Sequence, residues 1–236
     1  MLQLAGSSVE TRADVPARPV AIGELLPVLQ GLTNSIVDAA VARERREGRE
    51  ISCRAGCGAC CSQIVPVADA EARALAELVS RMPAERRRAV EERFREALTR
   101  LDQAGLLARV RAASSLDREE RHALGLEYFR AGVPCPFLED ESCSIHPDRP
   151  LACREYLVTS PAVECASPSA ERVRMVRLPA KASSVLFRFG DGEGRDTPRF
   201  VPLVLALEWT AEHAADAQAV RPGPRLLEAF VRDLAR

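Results

Sequence analysis

The sequence is poor in aromatic residues and in lysine. Aromatic residues make up only 4% of the 236 positions, and Lys181 is the sole lysine among 33 basic residues. Basic and acidic residues nearly cancel, which leaves a formal net charge of −1. A chain without a charge excess has no global electrostatic attraction to nucleic acid or to an anionic membrane. We therefore expect neither partner, and we expect a core built from Leu, Val and Ala.

Long apolar runs are missing as well. No run approaches the eighteen or so consecutive apolar residues that indicate a membrane-spanning helix. Residues 1–20 do not show a basic start followed by an apolar stretch, so a signal peptide is not expected. The sequence also contains no glycine-rich phosphate loop, no serine nucleophile elbow and no paired histidines at zinc-protease spacing. We expect a cytoplasmic protein outside those enzyme classes.

Apolar residues recur at helical spacing along most of the chain. The spacing, together with Pro, Gly and Asp at the helix ends, predicts helices over these ranges: 22–47, 70–81, 83–113 with an interruption at Gly105, 117–130, 201–216 and 224–234. Residues 1–20 hold few large apolar side chains and are expected to form a loose tail. The remaining stretches predict a strand over 173–178 and a turn over 190–194.

Helical spacing stops between residues 133 and 156. This stretch holds four prolines and three cysteines. Residues 135–145 predict a small hairpin that turns at 139–142, and Pro150 predicts the start of one short helix. The predicted fold class is mainly α: one helical domain over 21–236, with an irregular cysteine-rich metal-binding segment and a small hairpin.

The eight cysteines fall into two groups. The first group lies within nine residues and consists of Cys53, Cys57, Cys60 and Cys61; the second consists of Cys135, Cys143, Cys153 and Cys165. One short segment cannot bury four side chains that point in different directions, so core packing does not explain the first group. In a reducing compartment such thiols are metal ligands more often than disulfides. Soft thiolates suit both zinc and iron–sulfur clusters.

The spacing of the cysteines argues against a closed site within the first group. Adjacent residues such as Cys60 and Cys61 seldom direct both side chains at one tetrahedral centre. We therefore expect three cysteines of the run to be completed by one or more of the later ones. The second group lacks a Cys-x2–4-Cys pair, which disfavours a single zinc ribbon. Eight thiols could hold two four-thiolate zinc ions, or one 4Fe–4S cluster with thiols to spare.

A third interpretation comes from three cysteines of the first group. The pattern Cys53-x3-Cys57-x2-Cys60 has the spacing with which radical S-adenosylmethionine enzymes hold their cluster. Those enzymes are usually built on a strand–helix barrel, and this chain does not show the alternating strand and helix pattern that predicts one. Motif and fold must agree before such a match counts.

Two separate motifs carry a family resemblance. The first is Cys53-x3-Cys57-Gly58-x-Cys60-Cys61. The second begins Cys135-Pro136-Phe137-Leu138 and continues as Cys143-x-Ile145-His146-x2-Arg149-Pro150-x2-Cys153-Arg154. In order and content they resemble the CxxCxxCC family, also called YkgJ-family cysteine cluster proteins or zinc- or iron-chelating proteins, which includes a domain of flagellin lysine N-methylase. The similarity covers about residues 50–160.

The resemblance implies a metal or iron–sulfur site built from seven cysteines: Cys53, Cys57, Cys60, Cys61, Cys135, Cys143 and Cys153. Cys165 lies beyond the similar part and is kept as an eighth candidate ligand. Arg149 and Arg154 flank the short helix at Pro150, where they either hold the loop or offset the negative charge of a thiolate cluster. His146 is expected to have a structural role near the site. The arginine-rich stretch 85–95 alternates in sign and predicts a solvated helix face.

Three functions are compatible with these features. The first is a metal- or iron–sulfur-binding protein, with zinc or a 4Fe–4S cluster in a structural or redox centre. The second, implied by the resemblance to flagellin lysine N-methylase, is a methylase-like enzyme that modifies a protein or peptide substrate with S-adenosylmethionine. The third is a metal storage or delivery protein, which would explain surplus thiols. The sequence does not predict an oligomeric state.

Overall fold

The computed structural model describes residues 1–5, 7–166, 171–189 and 199–236. The turn predicted over 190–194 lies outside these residues. The fold is mainly α, as predicted. The α-helices in the described residues are α1 (Leu26–Arg46), α2 (Asp69–Ser80), α3 (Ala84–Gln103), α4 (Leu107–Arg111), α5 (Arg118–Arg130), α6 (Leu151–Glu155), α7 (Ala182–Leu186), α8 (Ala206–Glu212) and α9 (Gly223–Leu234).

Short strands form four antiparallel pairs in the described part of the chain. The strands are β1 (Leu2–Leu4), β2 (Ser7–Val9), β3 (Pro19–Val20), β4 (Pro66–Val67), β5 (Leu138–Glu139), β6 (Ser142–Cys143), β7 (Val201–Pro202) and β8 (Arg221–Pro222). The pairs are β1 with β2, β3 with β8, β4 with β7 and β5 with β6. Single 3₁₀ turns span Ile22–Leu25, His146–Asp148, Ala162–Ala166 and Leu203–Leu205.

The chain divides into two compact units, where the sequence predicted a single helical domain. The terminal unit comprises residues 1–55, 148–198 and 217–236, and the central unit comprises residues 56–147 and 199–216. Whether the two units act as one domain stays a prediction.

In the terminal unit, α1 packs against β2 and α6, and α7 packs against α9. The side chains of Leu29, Leu32 and Ile36 on α1 are buried because they recur at helical spacing on one face. The expected loose tail is instead a hairpin with the buried residues Leu4 and Val9, since β1 and β2 pair over three residues each.

The end of α1 fixes where the first cysteine segment begins. Gly48 has φ of +75°, and its amide donates to the Arg45 carbonyl. The Arg49 amide donates to the Glu44 carbonyl at 2.9 Å. These two bonds form a Schellman motif, which a glycine in the left-handed region permits. The predicted stop at Gly48 is therefore confirmed, and the chain leaves the helix a few residues before Cys53.

One helix passes a simple test for a membrane span. Residues 22–46, which join the 3₁₀ turn to α1, have a window of mean hydropathy 1.3 and enough length to cross a bilayer. Core helices of water-soluble proteins satisfy the same criterion, and the buried stripe on α1 gives this helix a packing role within its unit. The absence of a membrane partner stays a prediction.

In the central unit, α2 packs against α3 and α8, and α3 also packs against α4. One apolar core joins these helices, with Val90, Phe94 and Leu101 of α3 all nearly inaccessible to solvent. The β4–β7 pair places Val67 opposite Val201, and the Leu203 amide donates to the Val65 carbonyl at 2.8 Å. This core is the support on which the central unit's cysteine segments lie.

Three sequence predictions differ from the structure. The helix predicted over 201–216 is β7, a 3₁₀ turn and α8, because Val201 pairs with a strand more than 130 positions earlier in the chain. The strand predicted over 173–178 is a single bridge between Val158 and Met175. The helix predicted to begin at residue 70, after an Asp cap, begins at Asp69 itself, and Ala68 occupies the cap position.

Candidate metal centre

The structure distributes the eight predicted ligands over both units. The central unit contains five of them, Cys57, Cys60, Cys61, Cys135 and Cys143, and the terminal unit contains three, Cys53, Cys153 and Cys165. All eight lie among the described residues without a disulfide bond, and all except Cys165 are partly exposed. Five reduced cysteines in one unit supply more soft donors than a single tetrahedral ion requires.

The cysteine run of the central unit folds back on itself in two turns. Gly56 has φ of +81°, a conformation that an L side chain rarely adopts, and it reverses the chain just before Cys57. The Cys61 amide then donates to the Gly58 carbonyl at 2.8 Å. The Gln63 amide donates to the Cys60 carbonyl at 3.2 Å. These turns let the thiols of one short segment lie on more than one side of the loop.

Gly58 holds this loop tightly against the hairpin formed by β5 and β6. A Cβ atom at position 58 would lie 2.7 Å from a side-chain methyl carbon of Leu138. It would lie 2.8 Å from the backbone carbonyl oxygen of Glu141. Only glycine fits such an approach without movement, so the glycine between Cys57 and Cys60 has a packing reason.

The hairpin presents Cys143 beside the loop. Asp140 and Glu141 have φ of 46° and 59°, so both central residues lie in the left-handed region, as in a tight two-residue hairpin turn. Cys143 pairs with Leu138 across the strands. The ring of Phe137 is buried and meets Phe94 of α3 edge to face, with centroids 5.4 Å apart. The predicted hairpin is confirmed, and the α3 core anchors it.

Cys135 connects the loop to the hairpin. Its amide donates to the Cys61 carbonyl at 2.7 Å. Burial raises the pKa of the Cys135 thiol to about 12, although the Phe137 amide, which donates to the sulfur, acts in the opposite direction. The thiols of Cys143 and Cys60 raise the pKa further by repulsion between like charges. Cys60 and Cys143 are therefore both close enough to affect the charge of Cys135.

A small apolar pocket borders Cys135. Its lining includes Ile64, Tyr128 and Leu203, and its empty volume, open solvent included, is about 230 Å³. Burial raises the pKa of the Tyr128 hydroxyl, and the neighbouring Cys135 adds to the effect. Sites for drug-sized ligands usually enclose about 300–1,000 Å³. This pocket is too small for a cofactor the size of S-adenosylmethionine.

In the terminal unit, the three cysteines lie on separate segments of the chain. The Val158 amide donates to the sulfur of Cys53 at 3.4 Å, and the neighbouring Ser52 amide donates to the Val158 carbonyl at 3.0 Å. Cys153 lies on α6, and Cys165 is 3% exposed in the 3₁₀ turn Ala162–Ala166. A metal-binding role for these three thiols stays a prediction.

The two arginines near Pro150 have contacts that hold the loop. The side chain of Arg154 is buried, and its Nε donates to the Arg149 carbonyl at 2.8 Å. One of its terminal nitrogens donates to Asn34 Oδ1 at 3.1 Å. These bonds explain the burial of a cation, because its donors reach neutral acceptors within the terminal unit. Their predicted effect on a cluster's charge stays a prediction. His146 is exposed in its 3₁₀ turn.

The site's donor chemistry fits a thiolate-bound metal. A backbone amide points at the sulfur of Cys135, and such N–H···S bonds stabilise the thiolate form that binds a metal. Among the described residues, no three Cys, His, Asp or Glu side chains already form a ligand set for an ion. If the thiols of the central unit are to bind a metal, their side-chain angles have to change, while the backbones that carry Cys61 and Cys135 are already in contact.

Sequence reasoning missed one charged residue beside the hairpin. The stretch 85–95 was expected to be a solvated face, but Arg93 is only partly exposed and pairs with Glu139 of β5. Arg86, two helical turns earlier, donates to the Ser144 carbonyl at 2.8 Å. Both arginines flank the buried positions Val90 and Phe94. Their spacing of seven residues beside the apolar stripe places both on one side of α3, but it does not show that the hairpin lies there.

Comparison with known families agrees with this arrangement. A family model named CxxCxxCC and described as "Putative zinc- or iron-chelating domain" matches residues 52–171, which are 120 of the 236 positions. The chain belongs to the CxxCxxCC family. The match spans both motifs and confirms the resemblance found in the sequence. It supports metal binding in general. No curated protein and no solved structure matches the chain.

Proposed function

We propose that the protein holds a thiolate-bound metal centre in its central unit, with ligands drawn from Cys57, Cys60, Cys61, Cys135 and Cys143. One observation carries the proposal: the backbones of the two cysteine segments are in direct contact. Cys135 donates its amide to the carbonyl of Cys61 at 2.7 Å, and Gly58 lies against the turn of the hairpin that presents Cys143. Segments 70 or more residues apart in sequence are thus held together by backbone contacts at positions next to the cysteines.

The chemistry of the centre depends on the group bound. Zinc would supply a rigid structural link, and an iron–sulfur cluster would supply electron transfer, so the role is structural or redox. The chain's own contribution is the same in both cases. The Phe137 amide donates to the Cys135 sulfur, and the apolar wall formed by Ile64 and Leu203 limits the access of water. The N–H···S bond stabilises the bound thiolate, and the apolar wall controls the access of solvent and the dielectric around the centre.

The deciding experiment is metal analysis of protein purified without oxygen. Zinc predicts a colourless protein with about one or two zinc ions per chain. A cluster predicts a brown protein with iron, sulfide and absorption near ~400 nm. The Cys143→Ser variant should lose most of this metal, whereas Ser62→Ala, a change beside the same loop, should keep it. Wild-type protein without near-stoichiometric zinc or iron would contradict the proposal.

The cytoplasmic location is part of the same proposal. Eight cysteines without disulfide bonds are typical of a reducing compartment, where such cysteines stay available to metal. Cell fractionation with an antibody against the native protein tests it, and recovery in an oxidising compartment with paired cysteines would contradict it.

The methylase-like and the metal-storage functions stay predictions. The first is tested by calorimetry of the metal-loaded protein with S-adenosylmethionine, where no binding would exclude it. The second predicts exchangeable metal, so retention of the metal through a chelator wash would argue against it.

A further inference from the structure

The positively charged side chain of Arg93 lies beside the proposed centre. It makes none of the backbone contacts that hold the cysteine loop against the hairpin. The guanidinium of Arg93 pairs with Glu139 on the hairpin that carries Cys143. Its Nε atom is buried and has no hydrogen-bond partner among the described residues. Buried donors are nearly always satisfied in folded proteins, so an unpaired one calls for an explanation.

The position of Arg93 relative to the thiols suggests that explanation. Arg93 pairs with Glu139 of β5, and β5 pairs with β6, the strand that carries Cys143. The residue is held from two sides, because Phe94 next to it is locked against Phe137 and Glu139 pairs with its guanidinium. The cation is therefore fixed in place rather than sampling solvent.

A fixed positive charge at this place can offset the negative charge of a metal–thiolate centre. When a divalent ion replaces the protons of three or four thiols, the site changes from neutral to a net charge of about −1 or −2. Four-thiolate iron–sulfur clusters are anionic as well. A fixed positive charge in a partly buried place therefore stabilises the loaded state more than the metal-free state.

We propose that Arg93 balances the negative charge of the metal–thiolate centre and so raises its affinity for metal. This inference rests on the proposed function, since it requires that Cys135 and its neighbours bind metal. Arg93 touches no metal in this account. It acts through its charge, and Glu139 is the side chain that pairs with it.

The test measures Co²⁺ and Zn²⁺ affinity of the reduced full-length protein by competition with a chelator, using thiolate-to-cobalt absorption as the signal. Arg93→Gln should bind about 10- to 100-fold more weakly, as is typical when a residue behind the ligands is removed. Arg93→Lys should restore most of the affinity because it keeps the charge. Arg95→Gln is the matched control, since Arg95 is an exposed arginine of α3 that pairs with Glu92 on the same helix.

A fourth variant separates charge from mechanical support. If the Arg93–Glu139 pair only braced the hairpin, Glu139→Gln would weaken metal binding as much as Arg93→Gln does. The charge role predicts instead that Glu139→Gln binds at least as tightly as wild type, because a negative charge has been removed near an anionic centre. Circular dichroism of the metal-free variants checks that each has folded, and Glu139→Gln and Arg93→Lys still decide the question if Arg93→Gln does not fold.

The outcomes separate the two proposals. Unchanged affinity in Arg93→Gln, failure of Arg93→Lys to restore binding, or a loss in Glu139→Gln equal to that in Arg93→Gln would each overturn the role of Arg93 alone. Wild-type protein that binds neither metal would overturn the proposed function, and the inference about Arg93 with it.

Discussion

Replacing Gly58 with alanine tests how closely the cysteine loop and the hairpin fit. The new methyl group would lie 2.8 Å from the Glu141 carbonyl oxygen and 2.7 Å from a methyl carbon of Leu138. The Leu138 methyl can rotate away, but the backbone oxygen cannot. Restoring an ordinary contact of 3.4 Å requires the loop or the hairpin turn to shift by about 0.6 Å.

The expected cost follows from two opposing effects. Overpacking of this kind costs about 1–3 kcal/mol of the free energy of unfolding. Gly58 has no positive φ, so alanine is not strained there and recovers about 0.4–1 kcal/mol by restricting the unfolded chain. We expect a net loss of about 1–2 kcal/mol, measured by urea unfolding of the reduced, metal-free protein. Metal affinity should fall as well, because the shift moves Cys143 relative to the loop.

Gly31→Ala is the matched control for this substitution. Gly31 lies inside α1, and a Cβ there would meet nothing within 4 Å. Alanine should therefore stabilise the protein by about 0.5–1 kcal/mol through its higher helix propensity. If Gly58→Ala proved as stabilising as Gly31→Ala, the close contact between loop and hairpin would be refuted, and with it the observation on which the proposed centre rests.

Three further predictions concern metal, acid and helix capping. Cys57→Ala should lower both the metal content and the melting temperature of the metal-loaded protein. In chelator, the variant and the wild type should melt at the same temperature. Equal melting temperatures of the two metal-loaded proteins would count against Cys57 as a ligand. The Arg49 guanidinium lowers the pKa of buried Glu44, so the carboxylate stabilises the fold at neutral pH and this contribution is lost as the pH falls through the lowered pKa. Glu44→Gln should therefore lose less stability on acidification than wild type, and parallel pH profiles would exclude the effect. Asp117→Ala removes a capping box closed by Glu120, with two bonds of 2.9 Å, and should cost about 1 kcal/mol in urea unfolding.

Local signals explain which helices and turns could be predicted. Gly48 ends α1 and Gly105 ends α3, because each lies in the left-handed region that closes a helix. Asp117 caps α5 with its side chain, as its position before the apolar pattern predicts. Each of these features is encoded within five or six neighbouring residues, so the sequence alone is sufficient to find it.

Pairings between distant segments explain what the sequence could not predict. The β4–β7 pair joins Val67 to Val201 over only two residues of each strand, too few for a period of two to be visible. The β1–β2 hairpin is three residues long on each side and has a single buried residue per strand, Leu4 and Val9. Strands of this length leave no pattern that distinguishes them from a loop.

In the candidate site too, local sequence predicts some features, and the packing of distant segments decides the others. Cysteine type and spacing predicted thiolate ligands, and the structure brings the backbones of Cys61 and Cys135 into contact. That later cysteines complete the ligand set of the run stays a prediction. The sequence could not show which cysteines share a unit, because that depends on how distant segments pack. It also could not distinguish Arg93 from the exposed arginines of α3, since only the hairpin's position gives Arg93 a partner.

The packing of the central unit indicates what the metal contributes to stability. The unit has its own apolar core, in which Val90, Phe94 and Leu101 are at most 3% exposed, and this core includes none of the sulfurs of the run. Phe137 joins the hairpin to that core through its ring contact with Phe94. We therefore expect metal binding to add stability to a scaffold that its own apolar core holds together, unlike in small zinc fingers that unfold without their ion. This explains why removal of a ligand such as Cys57 is expected to lower the melting temperature only in the loaded state, while the helices persist in chelator.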